Sequence, residues 1–239
     1  MRLVLFLGNE VSHAQELSPL FQPYGQLGER DGGLIITTDA FGSAPVPAGE
    51  LEDEHKRALD AAKTEAREAV AAVNGLLTLL PSWGPSRVDV SHYHFVDAEG
   101  NERKVGPSPV TLGRAIVADS EVDARRTPFA EAASRDPLAR RVLGMLLPLV
   151  SWADLYKVHE LVQADVNGDM SRLGVSKTAL ARFSRTANHP DAIGDEARHA
   201  VSNQEPPPRP MSHQEACEFV ETLIRAWMQK VVVPRTRSA

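Results

Sequence analysis

Apolar residues recur along the chain at two different periods, and these periods predict its elements. The short runs Arg2–Leu7 and Gly33–Thr38 are rich in aliphatic and β-branched residues, which predicts two strands. Residues 87–97 alternate between apolar and polar side chains and predict a third strand, and residues 105–117 predict further strands at a sheet edge. Between residues 54 and 80 the apolar positions recur every three or four residues, which predicts one long helix.

Beyond about residue 135 the helical period dominates, and capping signals predict four helices. The residues expected to cap their first turns are Asp136, Ser151, Ser176 and Ser212. Four amphipathic helices joined by modest loops are typical of a bundle.

The change of period near residue 120 predicts the domain organisation. We expect the α+β fold class, with a mixed α/β N-terminal domain over residues 1–120 and a C-terminal four-helix bundle over residues 135–239. The polar stretch 121–134 is expected to link the two domains.

Composition excludes several function classes. The chain has 239 residues, a net charge of −6 and a single cysteine, Cys217, which cannot form an internal disulfide and so fits a reducing compartment. The apolar run Leu3–Leu7 is too short for a secretion signal, and no stretch approaches the roughly 18 apolar residues of a membrane span. We therefore expect a cytoplasmic protein with no membrane contact.

The charge is distributed unevenly between the two halves. Residues 1–134 contain 12 Lys/Arg and 20 Asp/Glu, a balance of −8, whereas residues 135–239 contain 14 and 12, a balance of +2. Affinity for nucleic acids comes mainly from neutralising phosphates. Any contact with RNA is therefore expected in the C-terminal half.

Arginine and histidine concentrate in one segment of that half. The predicted third helix carries Arg182, Arg185 and His189, and Arg198 and His199 follow. Arginine keeps its positive charge and can bind an anion, whereas histidine gains and loses a proton near neutral pH. This combination is suited to phosphodiester chemistry. Arg182 and His189 are seven residues apart, about two turns, so their side chains are expected near one helical face.

An arginine, six intervening residues and a histidine on the third helix of a bundle resembles the Arg-x(4–6)-His motif of the HEPN superfamily. The resemblance covers residues 135–232 and implies a metal-independent endoribonuclease of bacterial defence or toxin systems, without a cofactor. It also implies a homodimer with RNA as its substrate. By this resemblance Arg182 would hold the scissile phosphate and His189 would move protons. Arg185 would support them, and Arg198 with His199 is the alternative catalytic pair.

A structural role for the same residues competes with this hypothesis. The arginines would then bind helix carbonyls and nearby carboxylates, and the histidines would cap helices. The protein would be a non-catalytic dimeric interaction or ligand-sensing protein, with a protein partner on its N-terminal domain. In the enzyme Arg182 and His189 should share a solvent-accessible cleft. In the interaction protein they should be occupied by carboxylates or covered by packing.

A metal site is not expected. His92 and His94 lie two residues apart on a predicted strand and would face the same side of it. A zinc site needs further ligands, and the sequence offers none nearby.

Overall fold

The structure is a computed structural model that describes residues 2–7, 14–30, 33–38, 53–80, 88, 90–96, 100, 102–107, 124–146, 151–198 and 205–238. The chain divides into two compact units, Met1–Gly144 and Met145–Ala239.

One antiparallel sheet of five strands organises the N-terminal unit. The strands are β1 (Arg2–Leu7), β2 (Gln26–Arg30), β3 (Gly33–Thr38), β4 (Val90–Val96) and β5 (Glu102–Pro107), in the order β2-β3-β1-β4-β5. In the central strand, Leu5 pairs with Ile36 of β3 and Tyr93 of β4. Ile36 and Tyr93 are buried, and so is Val4, whose side chain points to the opposite face. Both faces of the sheet are therefore covered near its centre.

An ion pair joins the two edge strands of this sheet. Arg30 at the end of β2 binds Glu102 at the start of β5. Because β2 and β5 are the outermost strands, the sheet must curve strongly to bring these side chains together.

Four helices are described in the N-terminal unit beside this sheet. They are α1 (Ala14–Phe21), α2 (Asp53–Leu79), α3 (Arg126–Arg135) and α4 (Pro137–Gly144). Helix α2 packs against α3 and α4, and the fully buried residues Ala72, Val73 and Leu76 lie on it. The helix crossing is close, because a Cβ atom built on Gly75 would lie 1.9 Å from the carbonyl oxygen of Leu143.

Two buried polar contacts fix the end of α2 and the chain that follows it. The Asn74 amide donates to the Val88 carbonyl oxygen at 2.7 Å and accepts from the Val88 N–H at 2.6 Å. The Arg126 guanidinium donates to the Leu80 carbonyl oxygen at 2.8 Å. A cation on the last carbonyls of a helix satisfies acceptors that have no partner within the helix.

Helices are the regular elements of the described part of the C-terminal unit. Its helices are α5 (Trp152–Asp165), α6 (Lys177–Asn188), α7 (Pro190–Ile193), α8 (His213–Trp227) and α9 (Val233–Ser238). Short 3₁₀ turns occupy Met170–Leu173 and Gly194–Glu196, and a π-helical turn, Met228–Val232, joins α8 to α9. Helices α5, α6 and α8 share a core that contains Leu155, Phe183 and Leu223.

The predicted caps are confirmed. The side chains of Ser151 and Ser176 accept from backbone N–H groups three residues ahead, and Asp136 accepts in the same way from Ala139. Ser212 and Glu215 form a reciprocal capping box at α8. These signals are local in sequence, so the pattern alone locates them.

At the level of fold class, the expected mixture of helices and a small sheet is confirmed, with every described strand lying before residue 108. The short elements α1, β2 and α3 were not expected. Helix α1 contains Pro19, β2 is polar, and α3 buries mostly alanines. Helix α1 is short and carries a proline, which is unfavourable inside a helix, and β2 and α3 have few large apolar residues.

The domain division also differs from the expected one. Residues 126–135 form α3 instead of a linker, and α4 packs on α2 in the N-terminal unit, although we expected it to open the C-terminal bundle. The physical reason is the close fit of Gly75 against the backbone of α4, which the helical period does not reveal.

We predict that Gly75→Ala destabilises the N-terminal unit, although alanine is normally favoured over glycine within helices. The added methyl group must push α4 away, at a cost of about 1–3 kcal/mol in the free energy of unfolding measured by urea titration. Gly144→Ala is the matched control, because its Cβ would meet the Ala71 Cβ at an ordinary 3.4 Å. Equal stability of the two variants would contradict the close packing.

Candidate functional site

Helix α6 carries the residues singled out by their spacing. It begins after Ser176 and ends at His189. Phe183, Thr186 and Ala187 are buried on its inner face. Arg182 and Arg185 are three residues apart and lie away from this buried face.

The Arg182 guanidinium connects α6 to the chain that leads into α8. Its Nε donates to the Arg209 carbonyl oxygen at 2.7 Å, and its Nη2 donates to the Pro210 carbonyl oxygen at 3.0 Å. Both terminal nitrogens also bind Glu215, at 3.0 and 3.1 Å. The Ser212 backbone N–H and then Arg182 lower the pKa of Glu215, so this carboxylate stays charged. We name this set of contacts the Arg182 latch.

His189 has a structural position at the junction of α6 and α7. Its side chain is 6% exposed, and its Nδ1 accepts the Asp191 backbone N–H at 3.2 Å. It is thus the N-cap of α7 as well as the C-cap of α6. An Nδ1 that accepts a backbone proton is already committed to this cap.

The structure does not place Arg182 and His189 in one accessible cleft. Arg182 lines a groove on the outer side of α6, whereas His189 is buried and lines neither of the two grooves described below. The catalytic role of this pair remains a prediction, and these contacts do not favour it.

A basic groove lies beside the Arg182 latch. It has a volume of about 540 Å³ and is lined by Lys177, Thr178, Ala181, Arg182, Arg185, Pro207, Pro208 and Arg209. Four of these eight side chains are cationic, and no acidic residue of the described chain belongs to the lining. Arg185 also donates to the Glu205 carbonyl oxygen at 3.0 Å, which holds residues 205–210, here named the proline segment, against α6.

Arg198, of the alternative pair, lies in a second groove of about 500 Å³ in the same unit. Its guanidinium carbon is 4.8 Å from the centre of the Tyr156 ring, and its Nη2 is 3.1 Å from Glu160 Oε1. We name this the Tyr156 groove. His199 lies outside the described residues.

An aromatic cluster underlies the Tyr156 groove. Tyr156 and Phe183 stack with ring centres 6.2 Å apart, and the His159 ring is 5.5 Å from each. Within the described part of the chain, neither nitrogen of the His159 ring has a hydrogen-bond partner. Burial lowers the pKa of His159 from its ordinary value, and the nearby Glu160 carboxylate opposes this shift to a smaller extent. His159 was not predicted as a site residue, although it lies four residues after Leu155 on the inner face of α5.

The histidine pair of β4 is only partly described. His94 Nδ1 lies 3.1 Å from Glu102 Oε2, and Arg30 binds the same carboxylate. Hydrogen bonds from Arg30 first and His94 second lower the pKa of Glu102. The side chain of His92 lies outside the described residues. Among the residues whose side chains are described, no group of three or more potential ligands could hold a metal ion.

Comparison of the chain with protein-family models, with curated proteins and with solved structures gives no match. None of the described helices is both long and apolar enough to cross a membrane.

We predict that Arg182→Ala lowers the free energy of unfolding of the C-terminal unit. The Arg209 and Pro210 carbonyls lose their charged donor, which alone costs about 1–2 kcal/mol. Arg172→Ala is the control, since this exposed arginine lies in the 3₁₀ turn Met170–Leu173 and surface changes usually alter stability by less than about 0.5 kcal/mol. An Arg182→Ala protein as stable as the control in urea would show that the latch does not stabilise the fold.

We also predict that His159 makes the C-terminal unit less stable in acid. Its pKa in the folded state is below the ordinary 6.5, so the unfolded chain binds more protons in this range. The free energy of unfolding should therefore fall as the pH decreases through about 6.5. In His159→Phe this component of the pH dependence should disappear. Urea titrations of both proteins at about pH 7.5 and about pH 5.5 measure the difference, and an unchanged pH dependence would refute the prediction.

Proposed function

We propose that the C-terminal unit binds single-stranded RNA along the basic groove, and that Arg182 and His189 serve as structural residues in this task. The observation that carries the proposal is the clustering of Lys177, Arg182, Arg185 and Arg209 around one groove. In a chain with a net charge of −6, such a local concentration of cations requires a separate reason.

The groove offers chemistry suited to a phosphate backbone. Lys177, Arg185 and Arg209 are exposed, so their charges can neutralise phosphates and release counterions. Pro208 and Ala181 present apolar surface beside these cations. A single strand has unpaired bases that can lie on such a surface, whereas a duplex hides its bases. This favours a single strand over a duplex.

The Arg182 latch gives the groove its shape. By holding the carbonyls of Arg209 and Pro210, it fixes the proline segment at the distance from α6 that leaves the groove open. Its own charge is largely satisfied by Glu215, so the other three cations carry most of the attraction for RNA.

The HEPN resemblance, with a role in bacterial defence in the cytoplasm, is part of this proposal because it supplies RNA as the ligand. A HEPN-type bundle needs a fourth helix beside α5, α6 and α8, and α4 packs on α2 instead. We propose that the chain forms a homodimer in which a helix of the second copy takes this fourth position. Like charges would oppose pairing through the basic groove, so the dimer uses another face, and static light scattering tests for it.

We predict that the protein binds a single-stranded RNA oligonucleotide with an affinity that falls steeply with salt. Each of Lys177→Ala, Arg185→Ala and Arg209→Ala should reduce the slope of log affinity against log salt by about 0.7, the value for one lost contact to a single strand. Fluorescence anisotropy with labelled RNA at several salt concentrations measures the slope.

The matched control is again Arg172→Ala, which removes an exposed arginine that does not line the groove. Its slope should equal that of the unmodified protein. A uniform loss in all four variants would mean that only net charge matters, and an unchanged slope in the three groove variants would refute the groove. RNA incubated with the protein and EDTA should remain intact. Cleavage that a folded His189→Ala variant lacks would restore the nuclease assignment.

A further inference from the structure

In the Tyr156 groove, the planar guanidinium of Arg198 already lies on an aromatic ring. The Arg198 guanidinium lies over the Tyr156 ring at 4.8 Å and binds the Glu160 carboxylate at 3.1 Å. The ring is held from behind by the fully buried Phe183, with the two planes 16° apart. The Asn188 amide donates to the Tyr156 hydroxyl oxygen at 3.3 Å and fixes the ring further.

The charges around the groove favour a ligand rich in hydrogen-bond donors. Its described lining contains three carboxylates, those of Glu160, Asp195 and Glu196, against the cations Lys157 and Arg198. Ionised carboxylates only accept hydrogen bonds. One of the two cations, Arg198, is itself bound as a donor within the groove.

The receptor therefore combines a rigid aromatic face with carboxylate acceptors at its edge. Guanine matches it among the four RNA bases, because its ring N–H and its exocyclic amino group are adjacent donors in one plane. These two donors fit the two oxygens of one carboxylate as a guanidinium does. Stacking on an aromatic ring is available to every base and gives no selectivity by itself.

We propose that the Tyr156 groove is a guanine-binding site, in which the base replaces Arg198 on the Tyr156 ring and donates to Glu160. Arg198 is the internal occupant that a guanine must displace. Its side chain is 46% exposed, so it can swing into solvent without unfolding the segment. The segment itself remains held by the Arg198 backbone N–H, which donates to the Ala187 carbonyl oxygen at 3.0 Å.

This inference deepens the proposed function, since it names a base that the bound RNA would present. The test uses guanosine, which has no phosphate and therefore does not depend on the basic groove. Saturation-transfer NMR with guanosine, adenosine, cytidine and uridine on the full chain should show that guanosine binds more tightly than the other three nucleosides. Failure of RNA binding at the basic groove would leave this result unaffected.

Three variants separate recognition from general damage. Tyr156→Leu should weaken guanosine binding about tenfold, the loss expected for one stacking interaction. Glu160→Gln keeps the shape of the side chain and should abolish the preference for guanosine. Arg198→Ala should strengthen binding about two- to fivefold, because the competing cation is removed from the ring. A damaged fold does not produce such a gain.

The Arg172→Ala protein should bind guanosine as the unmodified protein does, because Arg172 lines neither groove. Equal binding of the four nucleosides would overturn the guanine assignment. So would weaker binding to a folded Arg198→Ala protein. If free arginine binds and guanosine does not, the receptor accepts a guanidinium, and the proposal is wrong.

Discussion

The Arg182 latch is the interaction on which the C-terminal unit depends. One guanidinium binds two backbone carbonyls and the carboxylate that caps α8. Charge-assisted hydrogen bonds of this kind have a fixed geometry, because the guanidinium is planar. The latch therefore sets the position of the proline segment relative to both α6 and α8, and the basic groove follows from that position.

The same contacts explain why an arginine and a histidine at helical spacing need not form a catalytic pair. A catalytic arginine must offer its donors to substrate, whereas those of Arg182 bind Glu215 and the carbonyls of residues 209 and 210. A general acid–base histidine must reach the reacting oxygen, whereas His189 is buried and caps α7. The two grooves described above present exposed cations to solvent, Arg185 in one and Arg198 in the other.

Local signals made much of the fold predictable. Capping residues act within three positions of themselves, so Ser151, Ser176 and Ser212 were identified from sequence alone. Pro190 correctly predicted that α6 ends at His189. Elements with weak hydrophobic patterns, such as β2, were missed, as was the packing of α4 on α2, which depends on a glycine distant in sequence.

The candidate site was harder to predict because its decisive contacts are long-range. The spacing of Arg182 is visible on its helix, but its partners lie 27, 28 and 33 residues further along the chain. Likewise, nothing local indicates that Arg198 stacks on Tyr156, 42 positions earlier. Spacing predicts which side chains share a helical face, whereas only the fold shows which of them are already occupied.

The most direct measurement is photochemical crosslinking of a 4-thiouridine-labelled single-stranded RNA to the full chain, with the attached peptides identified by mass spectrometry. The account predicts crosslinks within residues 177–185 and 207–209, which contain the residues that line the basic groove, on RNA that remains intact. Crosslinks confined to the N-terminal unit, or RNA cut in the absence of metal ions, would contradict it.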